Sequence, residues 1–217
     1  MSATFNEWIK AVFDHPPRKA EWYWDDDFDA SWDCLGMTHA LTVQYMAQLF
    51  LTPQGIELYS YEQIAQGIWF LMGESSPGRC AYALLNPDVI LTERINCIRA
   101  MQSFFREFVA PAAQGGADAQ NDPFHTACYM WWDIFPTYGA PEAGEPELHS
   151  ACLGAMSEIL SLPSELCRLS ALHGLNHWHF HHAEHVENIV DAFLDKTPAL
   201  TVRIVDYAAV ARSGAGQ

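Results

Sequence analysis

Apolar residues recur along this chain every three or four positions, the spacing of one face of an α-helix. Over Thr38–Leu51, Leu41, Tyr45 and Leu49 share a side, and Pro53-Gln54-Gly55 marks the stop. Ser60 and Gln63 form an S-x-x-Q capping box, and Ile64, Ile68, Leu71 and Met72 give the following helix its stripe. Trp69 and Phe70 make that helix apolar nearly all round, as for an inner helix. Asn86-Pro87 opens what reads as the longest helix, running to about Val109. Leu91, Ile95, Ile98, Met101, Phe105 and Phe108 line its core side, and Arg94, Arg99, Arg106 and Glu107 are expected in solvent. Leu148, Cys152, Ala155, Met156 and Ile159 mark another helix after Glu145-Pro146. Thr197-Pro198 is expected to start the last one, with Leu200, Val202, Val205, Ala208 and Ala209 as its apolar set. No stretch alternates convincingly with period two over five or more residues. The pattern predicts an all-α fold of seven to nine helices.

The stretch Cys167–Lys196 organises the rest. Leu166, Leu169, Leu172 and Leu175 lie at near-helical spacing, with Ala171 and Gly174 small enough to admit a neighbouring helix. Val186, Ile189, Val190, Phe193 and Leu194 form a second stripe. The histidine-rich piece between them predicts a tight turn joining two antiparallel helices. Ser170-Ala171-Leu172-His173-Gly174-Leu175, a turn, and then Val186–Leu194 resemble a HEAT-type repeat. The resemblance covers about thirty residues well. It implies an α-α superhelix of antiparallel helix pairs (HEAT/ARM-like), formed as a single helical-repeat domain over residues 1–217. It also implies protein–protein contact, and it supplies no catalytic residue.

Two segments stand outside the helical pattern. Residues 1–34 begin with an amphipathic piece containing Phe5, Trp8, Ile9, Val12 and Phe13, then run into EWYWDDDFDASWDC. They are expected to form an N-terminal strap whose Trp22, Trp24, Phe28 and Trp32 pack on the first helices while the aspartates face water. The functional alternative is a cation site or an acidic docking patch at Trp22, Trp24, Asp25, Asp26 and Asp27. The aspartate spacing is not that of an EF-hand loop. Residues 111–121, PAAQGGADAQN, have the composition of a flexible loop.

Composition narrows the functions. Half of the 217 residues are apolar and the net charge is −16, from 27 acidic and 11 basic side chains. Such a chain buries a substantial core. Its charge repels a nucleic-acid duplex and an anionic membrane, and fits a basic protein partner or solubility alone. Six cysteines without a C-x-x-C pair predict reduced thiols. Without a signal-peptide pattern or a bilayer-length apolar run, the protein is expected to be cytoplasmic.

The histidines are the sharpest candidate for chemistry. His173, His177 and His181 recur at i, i+4 and i+8. His173 and His181 would lie ~12 Å apart along one straight helix, too far to share an ion. A third ligand must come from elsewhere, either His185 across the expected turn or a carboxylate. The candidate metal ligands are His177, His181 and His185, with zinc or nickel as the ion. The alternative is that these side chains serve a helix end by bonding free carbonyls, and no cofactor is the preferred expectation. There is no G-x-S-x-G, Walker A or G-x-G-x-x-G motif. A Cys128 or Cys167 nucleophile paired with a histidine remains an open pairing only. The functional expectation is a non-enzymatic interaction module, of which an inhibitor or immunity-type protein is one form. A metal-dependent enzyme using His173–His185 is the alternative.

Overall fold

The computed structural model describes residues 2–19, 21–73, 80–113, 122–137, 140 and 145–215. Among the described residues all regular structure is helical, in ten α-helical segments with short 3-10 turns between them. They are α1 (Phe5–Phe13), α2 (Phe28–Asp33), α3 (His39–Leu51), α4 (Tyr61–Met72), α5 (Leu91–Phe104), α6 (Ala110–Ala112), α7 (Pro123–Tyr129), α8 (Pro146–Leu160), α9 (Glu165–Lys196) and α10 (Val202–Ser213). A π-helical stretch, Phe105–Val109, joins α5 to α6. Of the expected 111–121 loop, 111–113 closes this helix, and the rest lies outside the described residues.

Local chemistry sets several starts. Ser60 and Gln63 make the capping box of α4, and Thr4 and Glu7 make another at α1. Asp122 caps α7 ahead of Pro123, its side chain accepting from Phe124 N at 2.8 Å. Two expected Asn-Pro and Thr-Pro starts fall elsewhere. Asn86-Pro87 lies in a turn closed by Asp88 N donating to Asn86 Oδ1 at 2.8 Å. The last helix is capped by Thr201, after Pro198.

Packing links the helices in two series that meet on α9. One runs through α3, α5, α8, α9 and α10, and the other through α1, α4, α7 and α9. Trp8, Trp131, Trp132 and Trp178 are fully buried in the shared core. The aromatic run after α7 is therefore core packing, with Phe135 buried beside its two tryptophans.

The reversal expected within Cys167–Lys196 falls at His182 (φ −133°, ψ 38°), so α9 is two helical arms and not one straight rod. The Arg168 guanidinium carbon stands 5.7 Å from the centroid of the Phe193 ring, although residues 168 and 193 would be ~37 Å apart along a straight helix at ~1.5 Å per residue. Arg203, just beyond the end of α9, likewise reaches Glu165 at its start, at 3.1 Å. The first arm runs on through the histidines to His181, further than the expected helix. Leu172, Leu175 and Trp178 on it are buried, as are Val186, Val190 and Phe193 on the returning arm. α7, α8 and α10 pack against this pair.

Two smaller corrections concern phase and charge. The buried face of α10 is Ile204, Ala208 and Ala211, whereas Val202 and Val205 are exposed. Arg94, expected in solvent, is 2% exposed. Glu145 compensates it from the start of α8, with Nη1–Oε2 at 2.9 Å and Nη2–Oε1 at 2.6 Å. This bidentate geometry makes burial of a guanidinium tolerable.

Candidate functional site

Two regions carry the chemistry-bearing side chains, and each is built differently. The first is the N-terminal strap. Trp22, Tyr23, Phe28 and Trp32 surround Phe70 of α4 with ring centroids 4.8–5.6 Å away. His15 stacks flat on Trp22 at 3.9 Å. Backbone anchors complete the attachment: Gln63 Nε2 donates to Phe13 O at 3.2 Å, and Gln66 Nε2 donates to Arg18 O at 2.7 Å. Of the candidate docking residues, Trp22 is buried, which removes it from any docking surface. Trp24 departs from the packing role expected of it, and is 64% exposed. Asp25, Asp26, Asp27, Asp29 and Asp33 are also exposed. Asp25 pairs with Arg18.

The second region lies where the turn after α7 meets α9 and α10. Asp133, His173 and His177 each bring one potential ligand atom within 4.8 Å of the others, and all three are half-buried. His177 Nε2 stands 3.4 Å from Asp133 Oδ1. His173 Nδ1 shares a 2.6 Å hydrogen bond with the Tyr207 hydroxyl, which shares a 2.7 Å bond with that of Tyr129. The Tyr129 ring stacks on His173 at 4.2 Å. His173 Nε2 is buried without a hydrogen-bond partner.

Gly174 fixes this arrangement. A Cβ there would stand 2.5 Å from Trp132 Cβ and 2.7 Å from its Cγ, so only glycine lets the turn press onto α9. Asp133 follows Trp132 directly and is thereby held beside the two histidines.

Burial dominates the electrostatics here. It holds the His173 ring down to about 4, assisted by the neighbouring His177 and opposed by Asp133. Burial likewise pushes the Tyr207 hydroxyl up, reinforced by its bond to Tyr129. At neutral pH the site therefore offers a neutral His173 imidazole and the phenolic hydroxyl of Tyr207.

His181 and His185 stand outside the Asp133–His173–His177 group. Both are exposed: His181 lies edge-on to Phe180 at 4.7 Å, and His185, past the reversal at His182, faces His182 at 6.3 Å. Sequence reasoning missed Asp133, Tyr129 and Tyr207. Nothing in their local pattern ties them to α9; only packing does.

Other chemistry recedes. All six cysteines are free, and only Cys34 is exposed. Burial raises the Cys97, Cys128 and Cys152 thiols, and Cys167 to about 11. A thiolate nucleophile at Cys128 or Cys167 is disfavoured accordingly. An open groove of about 580 Å³ runs between α5 and α8, with Arg99 and Gln102 facing Glu147 and Glu158.

Among the described residues no helix is long and apolar enough to cross a membrane. Fold and sites together define a protein that is helical throughout its described residues, with an aromatic, acidic strap at one terminus and a histidine-rich helix pair near the other. Neither protein-family models, curated proteins nor solved structures give a match to the chain.

Proposed function

We propose that this chain is a non-enzymatic binding module: a helical scaffold, stacked in the manner of HEAT repeats, that takes a basic protein segment on the acidic face around Trp24. One observation carries the reading. Trp24 projects into solvent among Asp25, Asp26, Asp27 and Asp29, on a base whose other rings are buried against Phe70. A rigid exposed indole offers a face to a guanidinium or ammonium group. The surrounding carboxylates and the net charge of −16 attract the same cations. An inhibitor or immunity-type role against a basic protein is one form of this function. A metal-dependent enzyme is the second reading, favoured by the convergence of Asp133, His173 and His177.

Calorimetric titration with an arginine-rich peptide tests the first reading, with a glutamate-rich peptide of equal length as control. Binding should be confined to the basic peptide and weaken as salt rises. Trp24→Ala should weaken it about two- to fivefold, from the ~0.5–1 kcal/mol of an exposed cation–π contact. Equal affinity for the wild type, Trp24→Ala and an Asp25→Asn, Asp26→Asn, Asp27→Asn triple variant would overturn the proposal.

A further inference from the structure

We infer that Asp133, His173 and His177 form a binding site for a first-row divalent cation of the zinc type. The inference is independent of the binding-module reading. Two imidazoles and one carboxylate make an N2O donor set, which suits borderline metals and not magnesium or calcium.

The spacing fits. His173 and His177 are one helical turn apart on the same face of the first arm of α9, upstream of the reversal at His182. With metal–ligand bonds of ~2.1 Å, ligand atoms in a tetrahedral site lie about 3.4 Å apart. His177 Nε2 and Asp133 Oδ1 already stand at 3.4 Å. All three ligand atoms fall within 4.8 Å, so small side-chain rotations close the set.

The surroundings are those of a supported site. In the ion-bound form His173 Nδ1–H donates to the Tyr207 hydroxyl, which leaves the unpartnered Nε2 as the ligating atom. A metal-bound histidine is characteristically oriented by such a bond from its other ring nitrogen. Tyr129 holds Tyr207 through a hydrogen bond and braces the His173 ring by stacking. The contact of Gly174 with Trp132 sets the carboxylate. Three protein ligands leave a coordination position for water or for a carboxylate from another molecule.

Untagged, metal-stripped full-length chain should bind one Zn²⁺ in equilibrium dialysis. Co²⁺ should give visible absorption of low-symmetry, four- or five-coordinate intensity, and Zn²⁺ should raise the thermal midpoint by several degrees. Asp133→Asn and His177→Gln should each lower affinity at least tenfold and abolish the thermal shift. His181→Ala and His185→Ala should leave both unchanged. Circular dichroism of the metal-free variants identifies any that fail to fold. The half-buried positions 133 and 177 are the informative ones if His173→Ala does fail. The inference is overturned if the wild type binds no Zn²⁺ at 100-micromolar metal, a concentration of order 10⁻⁴ M. It is equally overturned if His181→Ala and His185→Ala, and not Asp133→Asn, remove the ion, since that is adventitious surface binding.

Discussion

The strap and the α9 seam are both places where aromatic rings press against a helix through a glycine. In the strap region, α1 approaches α4 at Gly67, where a Cβ would run into the Phe13 ring. In the seam, Trp132 approaches α9 at Gly174. What differs is the direction in which the polar groups point. Around Phe70 the rings turn inward and the carboxylates turn out to water, so the region displays. Around Gly174 the histidines, the aspartate and two tyrosines turn toward one another, so the region encloses. Packing by the same means thus yields a surface in one case and a small donor cluster in the other. What decides is whether a second element covers the polar side: α10 does so for the seam.

The strongest way to break this comparison is to remove the base of the strap. Phe70 is fully buried and touches the rings of Trp22, Tyr23, Phe28 and Trp32. Phe70→Ala should cost about 3–5 kcal/mol in denaturant unfolding, and the near-ultraviolet signal of the strap tryptophans should collapse. Gly174→Ala probes the seam in the same way. Overpacking against a fully buried Trp132 should cost about 1–3 kcal/mol, without disturbing the strap.

Acidity separates the regions more gently. His173 is held neutral in the folded chain down to about 4, from an ordinary 6.5. The unfolded chain therefore takes up a proton first, and stability should fall as pH drops from about 6.5 toward 4. His173→Gln should flatten that window. Glu145 acts lower still. Its hydrogen bonds to Arg94 hold its carboxyl below the ordinary 4.5, so its stabilisation is present above that value and lost as pH falls beneath it. Urea midpoints measured across pH 3–8 resolve both windows. The smallest effect is expected from His181→Ala with His185→Ala. Both side chains are exposed, and unfolding free energy should change by less than about 0.5 kcal/mol.

The two regions were also unequally legible in the sequence. Strap packing is largely local: Trp22, Phe28 and Trp32 are close in sequence, and their alternation with aspartates announces one buried and one wet side. Even so, Trp24 broke the pattern, because the 3-10 turn Trp22–Trp24 points its third ring away from Phe70. The seam is non-local. The i, i+4 histidine pair was visible, but its carboxylate comes from the turn after α7 and its tyrosine from α10. The run of six polar or aromatic residues, His177–His182, reads as a turn because such residues have modest helix propensity. The chain does reverse there, but only at His182, so the first arm continues through His181. Arg94 was misread because its partner is distant in sequence: Glu145 lies at the start of another helix.

Hydrogen–deuterium exchange, measured with and without a saturating arginine-rich peptide, locates the contact directly. The account predicts slowed exchange in peptides covering residues 21–34, and no change along α8 or α10. Protection confined to the α5–α8 groove or to α10, with the strap exchanging as fast as in the free chain, would contradict it.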